Sequence, residues 1–549
     1  MKLKPFYLPL LIILAGIVFS IYLQWQVPDG VYFSGDAGLK ALLARQLSDG
    51  ILHFDLVPPT QSWVRDLWAQ GLYPYDKPYV YNVADKYYIT FPFTFPLVTA
   101  PFEALFGYRG LYLIPLISTW TIWFIFYWVC QQLKLNNLDT SLALINLIFA
   151  SPITIYSAMY WEHTLALVLA FAGTAILFVS KDSSGLSIKN AVISGSLIGL
   201  SVWFRPEFLC WVSTLAVLVY FAALTQTSPL ASLRKKINLD SFAFLAKNKN
   251  IFVASMLVTI SLFFLCNKLI YNHPLGIHAI QVVEESSLAQ KLKDSWKNFR
   301  QLGFAFFQYF PIALFLLILP LLLLLKTKKS KFNIKLLSIY LISISFIFGV
   351  SLIVPLGKQG LIAGGKQWGA RFLFILIPIV SVVTFQELTR LREIGRSILG
   401  YTAIFIISLL LIWGIHKNTY EATVFLQKNY QGVLPAIQFL QKSPDNVIAI
   451  SHQYVAQALE ASLNRDKLFF WVENQKDLEK LGLALLAQKQ QKFIYICYPH
   501  RPCDLPKQTS ENLKIYQKDR EIKIEFFSLG KFGKYPIYEV SIIKRSPLW

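Results

Sequence analysis

Apolar residues fall along this chain in blocks of about 17 to 24, the length a helix needs to cross a hydrocarbon core of roughly 30 Å. The first block runs from Phe6 to Leu23 behind Met1-Lys2-Leu3-Lys4. Gln24-Trp25-Gln26-Val27-Pro28 follows it with no small-residue cleavage site, so it reads as a retained first helix and not a removed signal. Further blocks lie at about 111–131, 139–157, 163–180, 189–204, 207–225, 250–271, 303–326, 335–355, 371–388 and 398–415, which predicts about eleven spans. The expected fold class is an all-α polytopic membrane protein over 1–415, with interfacial helices in a large first loop at 24–110. A small α/β domain is expected over 416–549.

Basic residues give the spans a direction. With the N-terminus inside, the cytoplasmic connections carry Lys134, Lys181–Lys189, Arg234-Lys235-Lys236, Lys326–Lys331 and the three arginines of Thr389–Arg396. Every dense basic cluster of the helical region falls on that face. An odd number of spans then puts 416–549 outside, with the whole protein in a bacterial inner or plasma membrane. That tail has mixed charge and short β-type runs at Val447–Ile450, Lys492–Tyr498, Ile522–Phe527 and Ile537–Ile543.

Composition agrees. Hydrophobic residues make up 55% of the 549 positions and charged residues only 15%, against roughly a quarter charged in soluble chains. A cytosolic enzyme, a disordered chain and a disulfide scaffold are excluded. The net charge of +21 belongs to the loops next to the spans and does not argue for nucleic acid. Cys130, Cys210 and Cys266 lie in apolar blocks as packing residues. Cys497 and Cys503, across Cys-Tyr-Pro-His-Arg-Pro-Cys, are either a structural disulfide or two free thiols.

The stretch Ile89–Phe106 is apolar, but three prolines and Glu103 argue against a crossing helix, so it is placed along the outer interface. Near the start of the same loop, Ser34-Gly35-Asp36 leads into an amphipathic run. Asp36 is either the cap of that helix or a general base at the membrane edge. Glu162 sits in the short outward loop Trp161-Glu162-His163, either solvated or functional. Arg205-Pro206-Glu207, His273 and His278 in the loop after the seventh span, and Lys366 with Arg371 before the tenth map to the same face. Each alone is equally well a helix end or a headgroup contact.

Ser34-Gly35-Asp36, Trp161-Glu162-His163 and Gln367-Trp368-Gly369-Ala370-Arg371-Phe372-Leu373, in this order and on one face, resemble the GT-C superfamily of integral membrane glycosyltransferases. In style they are similar to bacterial aminoarabinose transferases and protein O-mannosyltransferases. The resemblance covers most of the helical region, although Gly-Asp-Ala and Arg-Pro-Glu stand where the family often has an acidic doublet or a basic-Gly-Pro element. It implies inverting transfer of a sugar from a polyprenyl-phosphate carrier to a lipid, glycan or protein acceptor outside the cell. Asp36 would take the acceptor's proton, and Glu162 would orient the acceptor or hold a basic partner. Arg371, Arg205 and Lys366 would line the leaving phosphate, with Glu207, His273 and His278 as further substrate-binding residues. No cofactor is required; a divalent metal is compatible with the chemistry, but no ligand cluster asks for one. The alternatives are a secondary transporter, or a ligase or flippase of lipid-linked glycans outside this superfamily. The second of these need not place an essential acid at Asp36.

Overall fold

The structure, a computed structural model, describes residues 7–179, 186–227, 247–277, 288–324, 334–354, 367–393, 398–508, 513–517 and 520–545. The chain divides into two compact units. One comprises Met1–Trp25 with Tyr112–Val424, the other Gln26–Leu111 with Phe425–Trp549. This differs from the expected boundary at 415/416, because the long first loop groups with the C-terminal segment and not with the spans.

In the first unit every expected span has a helical counterpart, but several differ in length or shape. Tyr7–Trp25, Lys249–Tyr271, Leu336–Ile353 and the apolar start of Gly400–Lys442 are long and apolar enough to cross a membrane. A fifth such stretch, Thr94–Gln132, is interrupted: Gly107 takes a φ of 61° and ends the helix Thr94–Phe106, and a second helix runs over Leu113–Gln132. Thirteen helical residues reach only about 20 Å, so Thr94–Phe106 is too short to cross and only the second helix is long enough to do so. Asn137–Phe149, His163–Val179, Ile188–Phe204 and Phe208–Leu224 are shorter apolar helices. Among the described residues the count of eleven is thus not reproduced by length and composition alone.

Two expected spans are corrected outright. The block at 303–326 is two helices, Leu288–Tyr309 and Ala313–Leu324, bent by 104° at the break. Pro311 stands at that break, has no N–H to donate and disfavours helical backbone at Phe310. The block at 139–157 stops being α-helical at Phe149, and Pro152 precedes a tight 3-10 turn over Thr154–Ala158. Elsewhere close packing holds the unit together. A Cβ on Gly195 would lie 2.4 Å from the Phe252 carbonyl, so the Ile188–Phe204 and Lys249–Tyr271 helices meet backbone to backbone, an approach only a small residue allows. Polar side chains tie other helices: Asn146 donates to Ser381 at 2.9 Å, and Trp211 Nε1 donates to Thr174 at 3.0 Å. Outward faces remain apolar, as Leu257, Val258, Leu262 and Leu265 show, which suits a lipid surrounding.

The second unit is built on a six-stranded sheet. A hairpin of β1 (Val80–Val83) and β2 (Lys86–Ile89) precedes it in the chain, turning through Ala84 and Asp85, both at positive φ. The sheet takes β3 (Val447–Ile450), β4 (Leu468–Trp471), β5 (Lys492–Ile496), β6 (Leu513–Gln517), β7 (Arg520–Phe532) and β8 (Tyr535–Arg545) in the order β4-β3-β5-β8-β7-β6. The first three are parallel, joined through the helices Gln453–Leu459 and Gln475–Ala487; β8, β7 and β6 add antiparallel neighbours. All four residues of β3 are buried, as expected for an inner parallel strand.

The first loop packs onto this sheet and its helices. Trp68 Nε1 donates to the Phe469 carbonyl at 3.1 Å, Trp63 stacks on Phe470, and Arg45 donates to the Leu463 carbonyl at 2.8 Å. Cys497 and Cys503 are joined in a disulfide with Cα atoms 5.8 Å apart, which closes the loop left open by the sequence.

Candidate active site

In the first unit the site begins at a helix end. Pro206 ends the Ile188–Phe204 helix, and the chain re-enters a helix at Phe208 through a tight turn in which the Phe208 N–H donates to the Arg205 carbonyl at 3.0 Å. Arg205 is thereby held beside its near neighbour Glu207, and its Nε donates to Glu207 Oε1 at 2.6 Å. Its other edge reaches across to the start of the His163–Val179 helix, where Nη1 donates to Glu162 Oε1 at 2.8 Å. Both carboxylates are buried, Glu162 to 1% exposure. Burial works against the Arg205 charge, but the charges of Glu207 and Glu162 outweigh it and leave its pKa above arginine's ordinary value. A guanidinium suits this role because its planar fork satisfies two carboxylates at once.

A second guanidinium joins the cluster through aromatic rings. The tight turn Arg371–Leu373 presents Arg371, whose guanidinium carbon lies 4.5 Å from the Trp161 ring centroid and 5.1 Å from that of Phe372. The Arg205 guanidinium carbon is 5.0 Å from the same Phe372 ring. Phe372 therefore lies within cation–π range of two guanidiniums, Arg371 buried and Arg205 largely so. Gly369 makes the turn possible: its φ is +76°, and an added Cβ would press Pro152 and Tyr309. Trp368 is pinned on both sides, its carbonyl by the Tyr156 hydroxyl at 2.9 Å and its Nε1 by Asn418 at 3.1 Å. Asn418 in turn donates to the carbonyls of Ala150, Tyr309 and Gly414. The structure thus brings Glu162, Arg205, Glu207 and Arg371 together. His273 stands apart in a turn of its own, its Nδ1 accepting from the Leu275 N–H at 3.2 Å. His278 and Lys366 lie outside the described residues.

In the second unit Asp36 occupies the first turn of the helix Gly35–Ser48. The cap is Ser34, whose hydroxyl accepts from the Ala37 N–H at 3.4 Å. The capping role weighed for Asp36 therefore falls to its neighbour, and the carboxylate sits where the helix dipole favours negative charge. Tyr79 feels it: burial first and the Asp36 charge next push the Tyr79 hydroxyl above the usual phenol value. That hydroxyl lies 3.2 Å from the Tyr454 hydroxyl. The helix can approach its partner closely because a Cβ on Gly38 would lie 1.9 Å from the Gln457 carbonyl.

Sequence reasoning gave no functional weight to Lys40. This lysine is 2% exposed, lies over the Phe91 ring at 4.4 Å, and shares a helix face with Asp36 through the i, i+4 spacing. That spacing was visible in the sequence; its burial was not. Nor did reasoning assign the rings of Trp161 and Phe372 as supports for the cations. Among the described residues no group of three or more His, Cys, Asp or Glu side chains could hold a metal ion.

No protein-family model matches the chain, and no curated protein is similar to it in sequence. Among solved structures it is similar to ArnT from Cupriavidus metallidurans bound to undecaprenyl phosphate, at 12% identity and a TM-score of 0.55, over 96% of this chain and 97% of that one. The apo state of the same ArnT gives 11% identity and a TM-score of 0.52 over the same shares. Such identity carries the fold and nothing finer. Nearly complete coverage of both chains means that the helical unit and the sheet-bearing unit are both part of the likeness. The chain is an integral membrane protein with the GT-C fold.

Proposed function

We propose that the protein is a membrane glycosyltransferase that moves a sugar from a polyprenyl-phosphate carrier to an acceptor on the extracytoplasmic side. The observation that carries this reading is the pair of guanidiniums, buried Arg371 and largely buried Arg205, both held within about 5 Å of the Phe372 ring centroid at helix ends of the membrane unit. Cations fixed by aromatic rings and carboxylates form a preorganised setting for a phosphate that gains charge as it leaves. The likeness to a structure that contains undecaprenyl phosphate supports the same class of donor.

The residues take distinct parts. An Asp36 carboxylate oxygen accepts the proton of the acceptor hydroxyl or amine as that atom attacks the anomeric carbon. The bond from that carbon to the phosphate oxygen breaks, its electron pair stays on the phosphate, and configuration inverts. Arg371 binds the departing phosphate. Arg205, with two edges spent on Glu162 and Glu207, fixes the shape of the cluster and adds charge. Lys40 supports the Asp36 helix face, and Lys366, His273 and His278 are further candidate contacts for substrate. The N-terminus is cytoplasmic and the C-terminal segment extracytoplasmic, as the basic loops indicate.

The test is transfer by the purified protein from a polyprenyl-phosphate sugar to cell-envelope acceptors. Asp36→Asn is expected to lower turnover by about 10² to 10⁴ while leaving the melting temperature in place. Full turnover by that variant would remove Asp36 as the base. Arg371→Ala should weaken donor use more than acceptor use; an equal loss for both substrates would contradict its assignment to phosphate.

A further inference from the structure

The helix Leu288–Tyr309 of the first unit contributes no residue to the transfer chemistry, and its surface divides into three faces. Ser295, Asn298, Leu302 and Ala305, at i, i+3, i+7 and i+10, are buried. Asn298 donates to the carbonyls of Ser351 and Val354, at the end of the Ile334–Ile353 helix. Leu292, Trp296 and Phe299, at i, i+4 and i+7, form a second face. Leu292 is 52% exposed and Trp296 58%, and the rings of Trp296 and Phe299 stack at 5.7 Å. Lys293, Lys297 and Arg300 repeat that spacing one residue later, and all three are exposed. At 3.6 residues per turn this puts a basic stripe directly beside the apolar one.

Contacts at its far end fix where these stripes lie. Tyr309 meets Trp368 with ring centroids 5.0 Å apart, and its carbonyl accepts from Asn418 at 2.7 Å. Trp368 stands three residues before Arg371, Asn418 three past the end of the Ile398–Ile415 helix, and the Arg371–Leu373 turn touches the Ile334–Ile353 helix. From Asn298 to Tyr309 the helix therefore runs across helix ends, on the side that holds Arg371. The 104° bend then separates it from Ala313–Leu324. No carboxylate offsets the basic stripe. Asp294, the only acid of this helix, accepts from the Gln290 amide at 2.9 and 3.0 Å. Among the described residues Lys293, Lys297 and Arg300 form no ion pair. In water the apolar face would be an exposed patch, and among acyl chains alone three cations would be stranded. The headgroup layer accommodates both: indole rings favour that depth, and lysine and arginine there meet lipid phosphate.

We propose that Leu288–Tyr309 is an interfacial helix that binds anionic phospholipid. Its apolar stripe enters the acyl-chain boundary, and Lys293, Lys297 and Arg300 take the phosphates. The occupant is phospholipid of the surrounding leaflet and not a polyprenyl-phosphate donor, because these three cations face outward while Arg371 is buried. The inference needs the chain to lie in a membrane, and needs neither donor nor turnover.

The experiment is photocrosslinking on the full-length protein in nanodiscs of equal parts phosphatidylglycerol and phosphatidylcholine. p-Benzoylphenylalanine takes the place of Phe304, which is 72% exposed and one turn past Arg300, and captured lipid is identified by mass spectrometry. Phosphatidylglycerol should exceed phosphatidylcholine by about fivefold or more, the scale of one cation at a lipid phosphate. Lys293→Gln, Lys297→Gln and Arg300→Gln combined should bring the two lipids to parity. The melting temperature should stay in place, since all three side chains are exposed. The same label at Val258, 61% exposed on the Lys249–Tyr271 helix, should show parity throughout. Arg371→Ala should leave the preference unchanged, so this inference and the phosphate role of Arg371 fail separately. The proposal is overturned if the label at Phe304 captures no lipid, if it captures both lipids equally, or if the triple variant keeps the preference. It is also overturned if undecaprenyl phosphate, at equal mole fraction, is captured ahead of phosphatidylglycerol.

Discussion

At the scale of single residues, burial does most of the work, and two groups in the second unit show it with opposite signs. Burial raises the Glu460 carboxyl to about 7, although the Tyr75 hydroxyl bonded to it pulls the other way. The fold prefers this acid protonated. Its contribution is complete below the ordinary value of 4.5 and fades as pH rises through 7, by roughly 3 kcal/mol at most. His452 is lowered to about 4, first by burial and then by Arg501. The fold prefers it neutral, so its contribution is complete above 6.5 and is lost as pH falls toward 4. Across the overlap the two slopes oppose each other and the wild-type profile is shallow. Glu460→Gln should expose the histidine slope, with melting temperature falling on acidification from pH 6.5 to 4. His452→Asn keeps an acceptor for the Tyr454 N–H and should instead show stability falling from pH 4.5 to 7. Melts of both variants across that range check the assignment. In the first unit, Arg205→Ala leaves Glu162 and Glu207 buried without their shared cation. A loss of about 3–5 kcal/mol is expected, seen as a large drop in melting temperature. A wild-type melt would mean that water or another cation replaces the guanidinium.

At the scale of elements, close approach decides where functional groups end up. The Asp36 helix reaches the Gln453–Leu459 helix because Gly38 has no Cβ; an added one would meet the Gln457 carbonyl at 1.9 Å, and backbone cannot step aside. Gly38→Ala should therefore destabilise the protein by about 1–3 kcal/mol and displace Asp36. Gly35→Ala meets the Gln457 side chain instead, so its cost should be smaller, and melting temperatures of the pair rank the two contacts. Helix ends obey local chemistry in the same way. Ser34 caps one helix, Pro206 ends another, and Pro311 bends a stretch that reads in sequence as a single span. The bend was within reach of sequence reasoning, since proline lacks the donor, but the apolar run around it masked the signal. The β1–β2 hairpin was harder: its turn residues Ala84 and Asp85 carry no glycine, although both adopt positive φ, so the usual turn signature is missing.

For the molecule as a whole, the apolar faces of the first unit require a lipid surrounding, and the sheet of the second unit is built like a water-soluble domain. The proposed orientation has a direct check: a reporter fused after Trp549 should read as extracytoplasmic. A cytoplasmic signal would break the assignment of sides. The composition of the second unit was the least legible feature of the chain. Its halves, Gln26–Leu111 and Phe425–Trp549, are separated by the membrane helices in sequence. Packing of the first loop on the C-terminal strands, helices and loops, as by Trp63, Trp68 and Arg45, makes them one body.

The sequence by itself determined the membrane class, the approximate position of the apolar helices and the presence of a C-terminal α/β segment. Apolar block length and strand alternation are local quantities that need no partner to be read. It also placed Glu162, Arg205, Glu207 and Arg371 at helix ends, because Pro, Gly and charge mark such ends along the chain. Tertiary structure alone decided that one arginine would serve two carboxylates from different helices, and that two guanidiniums would share the ring of Phe372. The Arg205 contacts with Glu162 and Phe372 join residues 43 and 167 positions apart. Charge pairing and cation–π attraction depend on distances of a few ångströms, which periodicity along a chain does not encode.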